Sequence, residues 1–290
     1  MKPLQVHLSH PSVCQTQQHV TVALSGDGGD ELFLGYPRYV AAKQRWEERR
    51  GLFACTVGRA GKLSTVLPKS LLNKISLGKR PWRLGDKAYR MAEDSAASMP
   101  EGVYEAFVSR WRTAEKPTSD PVSGYYFEPV RHPRLSEPLD RMGYADVVTY
   151  LPDDLLVKID RATMAVGLEG RAPLLDHEIV QFAWRIPASQ KLRDGIAKCP
   201  LRNVLSKYVP AKLFDKPKQG FEPPLGGWLR GPLREWAESL LDQGSLGDGG
   251  FVDAAPIHGL WREHLAGVRD WRFELWNVLM LQAWRKAWKV

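Results

Sequence analysis

No stretch of about 18 consecutive apolar residues occurs in this 290-residue chain, so no helix is expected to span a bilayer. The opening MKPLQVHLSH has no apolar core of the kind a secretory signal needs. Secretion is therefore not expected, and a cytoplasmic location is. Cysteine is scarce: Cys14, Cys55 and Cys199 lie far apart, odd in number and without a CxxC pair. That argues against a disulfide framework or a zinc site and suits a reducing compartment. The seven histidines form no HxxxH or HxH pair, which argues against a metal held by imidazoles. Signatures of KH, RRM or zinc-finger modules are missing too. The net charge of +8 is then not read as a nucleic-acid footprint. ATP and pyrophosphate are also anions, and a basic cleft serves them equally well.

What is present is an ordinary globular composition, 43% hydrophobic and 26% charged. Residues 20–24 (VTVAL) are apolar, β-branched and followed by a glycine-rich turn, which predicts a buried strand. Residues 30–50 predict one helix ending in a charged face that includes Lys43 and Arg45. Prolines punctuate 61–145 into short helical pieces. Apolar residues Leu155, Leu156, Ile159, Ala162 and Val166 predict a helix over 153–166, with Asp153 placed to cap it. Helices are also expected at 177–186, at 199–209 with Pro200 in the first helical position, near 232–242, and over 254–289. The tryptophans of that last segment (Trp261, Trp271, Trp276, Trp284, Trp288) read as core. The fold class is mostly α with a remnant of a parallel α/β sheet.

The chemistry concentrates at SGDGGDE, residues 25–31, beyond the carboxyl end of the predicted strand. Open α/β sheets bind ligands there. Gly26, Gly28 and Gly29 let the backbone approach a phosphate, and Ser25 offers a hydroxyl. Asp27, Asp30 and Glu31 put three carboxylates within five residues, which suits Mg²⁺ or a cationic group among them. The same residues also read as a glycine turn with acidic residues at a helix start, which the helix dipole favours without any ligand. The segment is neither a GxxxxGK[ST] loop nor a complete GxGxxG.

Four segments carry a family resemblance. VALSGDGGDELFLGYPRY (22–39) resembles the adenylate-site segment of glutamine-hydrolysing asparagine synthetases, SG[DE]G[GSA]DE with a following glycine-tyrosine pair. YLPDDLLVKIDRATMAVGLEGRAPLLD (150–176) resembles the stretch leading to R-x-P-[FL]-L-D. GIAKCPLR (195–202) resembles G-x-x-K-x-x-L-R, and KPKQGFEPPLGGWLRG (216–231) resembles the K-x-G-F loop. The order and rough spacing are those of the family. The resemblance implies a partial adenine-nucleotide α-hydrolase-like (ATP pyrophosphatase) domain over 20–290, preceded by an atypical segment, 1–19. It implies that Ser25 and Gly26 contact ATP and that Asp27 serves formation of a β-aspartyl-adenylate. Asp30 and Glu31 would lie near magnesium pyrophosphate and substrate, as tentative Mg²⁺ ligands. Lys198 would stabilise phosphate charge during adenylation. Arg171 and Lys218 are substrate-side candidates, Lys218 on a loop at the cleft with Lys216 and Gly220. Asp176 reads equally as structural, and Asp160 is a weaker candidate.

The implied cofactors are ATP and Mg²⁺. The implied partners are aspartate and ammonia, the latter drawn from glutamine in a complete protein that would be a possible homodimer. The family's SGGxDS phosphate loop does not occur in these 290 residues, and position 2 is Lys2 rather than a glutaminase cysteine. A truncated synthetase domain is therefore expected, without glutaminase activity and, lacking that loop, neither binding ATP tightly nor making an aspartyl-adenylate by itself. The alternatives are a non-catalytic binding module, or an amidotransferase acting on another carboxylate such as one on a surface sugar.

Overall fold

A computed structural model describes residues 12–50, 100–109, 111, 134–215, 223–242, 244, 246 and 252–288. A short helical stretch over residues 12–17 leads into strand β1 (Val22–Leu24). β1 pairs in parallel with β2 (Glu169–Arg171), Val22 opposite Glu169 and Leu24 opposite Arg171. The parallel sheet remnant is thus a strand pair. Its second member, a polar EGR, has none of the β-branched signal that marks strands in sequence. The expectation of a buried first strand is corrected: Val22 and Leu24 are exposed, Leu24 at 72%. Apolar character alone does not say which surface covers a strand.

The single helix expected over 30–50 is two. α1 (Gly29–Leu32) ends in a turn, and α2 (Pro37–Arg50) restarts the helix. Leu34, at φ 57°, takes the left-handed conformation between them, and Pro37 pre-sets the first helical φ of α2. α3 (Pro100–Val108) and α4 (Pro138–Val148) pack against α2. Leu34, Tyr39, Ala42, Tyr104, Leu139 and Met142 form their shared core.

The boundary at Pro152 is also different. Instead of a helix capped by Asp153, a six-residue π-helix (Leu151–Leu156) runs directly into α5 (Val157–Met164). Proline has no N–H and its ring crowds the carbonyl four residues back. Pro152 falls in the first turn of this π-helix, where its missing N–H is one no helical bond needs, and such π segments recur at functional sites. After β2 a 3₁₀ turn (Pro173–Leu175) leads to α6 (His177–Arg185), capped by the Asp176 carboxylate accepting from the Glu178 N–H at 2.9 Å. α7 (Ala188–Lys191) and α8 (Cys199–Leu205) follow. Cys199, not Pro200, is the first residue of α8, so the proline sits second, where its missing N–H is still one no helical bond needs. α9 is Ala211–Phe214.

A second core lies in the carboxy-terminal helices: α10 (Leu225–Arg230), α11 (Arg234–Leu240), α12 (Ala254–Leu265) and α13 (Arg272–Trp288). Leu229, Leu240, Ile257, Trp261, Trp271, Leu275 and Leu279 are buried together there. The long closing helix is therefore broken, at residues 266–271 with Gly267 at φ 66°. Trp276 is packed against this core, but Trp284 and Trp288 are exposed at 52% and 71%. Trp284 and Trp288 are not core, because, four residues apart, they share the outward face of α13, while Gln282 and Arg285 of the same turns are buried.

Candidate functional site

The site starts where β1 ends. The Ser25 N–H donates to the Arg171 carbonyl at 2.8 Å, prolonging the ladder by one rung and fixing where the glycine loop begins. Gly26 follows with open space where a side chain would stand. Gly28, at φ 85°, turns the chain into α1, and a β-carbon there would collide with Leu175. The loop is thus shaped by the 3₁₀ turn behind it and open in front. Ser25 and Asp27 are half-buried at this opening.

Lys198 reaches the loop from a distant segment. Its own backbone is left-handed, φ 57°, at the N-cap of α8, and its N–H donates to the Phe33 carbonyl at 3.2 Å. A non-glycine residue held so is strained by about 1–2 kcal/mol and is found where a side chain must be aimed. The ammonium lies 3.0 Å from the Asp30 Oδ1, both groups partly exposed. Gly35 explains the glycine-tyrosine pair: a β-carbon there would overlap both Asp30 Oδ1 and Lys198 Cε. Only glycine leaves that ion pair room.

Glu31 faces the other way. It is buried, and the Tyr36 hydroxyl donates to its Oε1 at 2.6 Å. Burial raises the pKa of the Glu31 carboxyl, while the Tyr36 hydrogen bond opposes the rise. Burial and the adjoining Glu31 also raise that of the Tyr36 phenol, which stays a donor at any ordinary pH.

Of the residues singled out in sequence, Ser25, Gly26, Asp27, Asp30, Glu31 and Lys198 stand together around this loop. Arg171 joins it through its carbonyl, its guanidinium being exposed and paired with Glu169 at 2.7 Å. Asp176 is the helix cap already described. Asp160 is exposed and paired with its neighbour Arg161. Lys216, Lys218 and Gly220 lie outside the described residues.

Sequence reasoning missed a buried cluster directly behind the site. Asp146 of α4 is fully buried, and its Oδ2 accepts from the Tyr39 and Tyr104 hydroxyls, at 2.5 Å each, and from Arg38 Nη2 at 2.8 Å. Arg38 Nε donates to the Tyr104 oxygen at 2.7 Å. Its guanidinium lies over the Tyr36 ring at 4.0 Å and the Tyr150 ring at 4.8 Å. The only signal was the tyrosine density of 36, 39, 104 and 150, which carries no pairing information by itself.

Parallel strands, a glycine loop at their carboxyl end and a cation delivered to it form the kind of ligand site that open α/β sheets carry, and the family match places the domain in the ATP pyrophosphatase-like fold. The asparagine synthase family profile matches residues 6–286, and the chain belongs to that family. It is 34% identical over 273 residues to a "Putative asparagine synthetase [glutamine-hydrolyzing]" of Mycobacterium tuberculosis, covering 93% of this chain and 40% of that protein. It is 27% identical over 273 residues to "Asparagine synthetase [glutamine-hydrolyzing] 1" of Bacillus subtilis, covering 93% and 41%. "Amidase chyE" of Penicillium rubens is 24% identical over 265 residues, covering 81% and 37%. The chain thus spans about 40% of the length of these relatives. No solved structure matches it.

Proposed function

We propose that this chain carries the acid-activating chemistry of an ATP-dependent carbon–nitrogen ligase, with aspartate as the acid. A carboxylate oxygen of the acid attacks the α-phosphorus of ATP, and the bond to pyrophosphate breaks. Ammonia then attacks the acyl carbon of the resulting adenylate, AMP leaves with the bonding pair, and the amide sheds a proton. The observation that carries the reading is Lys198, held in a strained conformation with its ammonium 3.0 Å from Asp30 at the mouth of the glycine loop.

Each residue has a task in that scheme. Ser25 and the open backbone at Gly26 receive phosphate oxygens. Lys198 faces the charge that grows as pyrophosphate departs, where one well-aimed group is worth roughly 10²–10³ in rate. Asp27, at the loop's opening, serves the adenylation step. A Mg²⁺ ion, when bound with ATP, neutralises phosphate charge. It normally takes only one or two protein carboxylates and the phosphates themselves. Asp30 fits that demand, being partly exposed at the loop mouth. Glu31 is the second carboxylate in reach, though its carboxyl is buried and already bonded to Tyr36. Among the described residues no group of three or more His, Cys, Asp or Glu converges, so a metal here depends on the nucleotide.

The test is pyrophosphate release from Mg-ATP with aspartate and ammonium by this chain joined to the upstream segment its relatives carry, with hydroxylamine as a trap for the activated acyl group. Asparagine and aspartyl hydroxamate are the expected products. Release with other carboxylic acids but not aspartate would keep the ligase and replace its substrate. A folded chain that releases pyrophosphate with none of them would overturn the reading.

A further inference from the structure

We propose that Arg38, locked by Asp146 and Tyr104, is a positioning residue that sets the Tyr36 phenol against Glu31 and so fixes the acidic end of the glycine loop. The inference rests on the ligase reading above, but its geometry stands apart from it. Tyr36 reaches from the buried cluster to the loop carboxylate Glu31. It directly precedes α2, its carbonyl accepting from the Tyr39 N–H at 3.1 Å, which fixes its backbone but does not by itself hold its ring. Arg38 does: the planar guanidinium covers the Tyr36 ring at 4.0 Å and the Tyr150 ring at 4.8 Å. The two tyrosines also meet edge-on, their centroids 6.0 Å apart. The guanidinium in turn cannot slide, because Nε is bound to Tyr104 and Nη2 to Asp146. Four segments therefore converge on one planar cation: α2, α3, α4 and the entry to the π-helix.

A lone structural ion pair would need none of this stacking. Lysine would satisfy Asp146 as a point charge, but it offers no planar face to clamp two rings and only one of the two fixed hydrogen bonds. The arrangement is a fork whose flat side is used on the tyrosines and whose edge is used on Asp146. The result is a phenol pre-aimed at Glu31, in place before any ligand arrives. Displacing such a donor by about 1 Å can cost two orders of magnitude in a reaction that depends on alignment.

The experiment uses the whole 290-residue chain with fluorotyrosine incorporated, the Tyr36 ¹⁹F signal being assigned by its loss in Tyr36→Phe. Arg38→Lys is expected to shift and broaden that signal. Tyr104→Phe, which frees Nε but keeps the pair with Asp146, is expected to do so more mildly. Tyr208→Phe, at a position 81% exposed and outside the cluster, should leave the Tyr36 signal and the turnover unchanged. In pyrophosphate release by the chain joined to its upstream segment, Arg38→Lys and Tyr36→Phe should each lower kcat by roughly tenfold to a hundredfold with KM for ATP little changed. The double variant should be no slower than Tyr36→Phe alone, because both act through one contact. An unmoved Tyr36 signal in both Arg38→Lys and Tyr104→Phe would overturn the proposal, as would additive losses in the double variant. A joined parent chain that releases no pyrophosphate overturns the ligase reading instead, and the ¹⁹F comparison still decides this one.

Discussion

At the residue scale the site depends on two positions where backbone and side chain make opposing demands. In the proposed reaction Lys198 acts by its charge, yet it sits where glycine would be relaxed. In the joined chain, Lys198→Ala and Lys198→Gly are both expected to cut pyrophosphate release by about 10²–10³. They should differ in stability, with glycine offsetting its extra chain entropy by relieving a strain of about 1–2 kcal/mol. Urea midpoints that rank alanine well above glycine would contradict the strain. Gly35 poses the converse case. Its β-carbon would meet only the mobile ends of Asp30 and Lys198. Gly35→Ala should therefore cost little in melting temperature but separate the ion pair, bringing activity down toward that of Lys198→Ala. Unchanged turnover in that variant would show that the Asp30–Lys198 pair does not matter to the reaction. Both positions were legible as motif letters, G-x-x-K and glycine-tyrosine. The reason for the letters was not, because it lies in contacts between segments more than 160 residues apart.

At the element scale, sequence periodicity found most helices but misjudged how they begin, break and join. The helix expected from Asp153 begins instead as a π-helix at Leu151, with Pro152 in its first turn. The break at 266–271 is hidden because apolar and tryptophan spacing continues across it. That break has its own chemistry. His264, near the end of α12, is fully buried, and its Nδ1 accepts the Trp271 N–H at 3.2 Å. Its ring stacks on Trp261, Asp270 lies 3.4 Å away, and Arg230 binds its carbonyl. Burial first, and then Arg230, lower the His264 pKa below its ordinary 6.5, Asp270 only partly opposing them. A histidine whose folded pKa is depressed favours the unfolded chain once protons become available. Stability from this site is thus complete above about pH 6.5 and is lost as the pH falls through the lower folded value. Urea midpoints measured from pH 8 to pH 5 should fall, and His264→Gln should flatten the decline while being less stable at pH 8. Parallel declines in parent and variant would move the acid sensitivity elsewhere.

At the scale of the whole molecule, the described residues hold three clusters of buried apolar side chains, while the strand pair leaves apolar residues of its own exposed. Parallel strands are normally covered on both faces, and a pair of strands is marginal by itself. The sequence read β1 correctly as the apolar kind of strand a covered sheet uses. Its exposure could not be read, because cover is supplied by other chain, not by the strand. Val22 and Leu24 lie on one face of β1, both exposed, opposite Glu169 and Arg171 of β2. An exposed apolar strand in a short parallel sheet is a template for association. The isolated 290-residue chain is therefore expected to self-associate through β1, with light scattering showing a mass that rises with concentration. Leu24→Lys should reduce that rise. Covering a leucine side chain contributes about 1.5–3 kcal/mol, and a charge at the same place opposes contact. Because Leu24 is 72% exposed, the variant should fold as well as the parent, with a melting temperature close to it. Trp288→Lys is the control, being 71% exposed at the far end of α13 and outside those clusters. If the two substitutions reduce association equally, general surface stickiness is responsible. If only the tryptophan variant does, the contact lies at α13 and not on the strand.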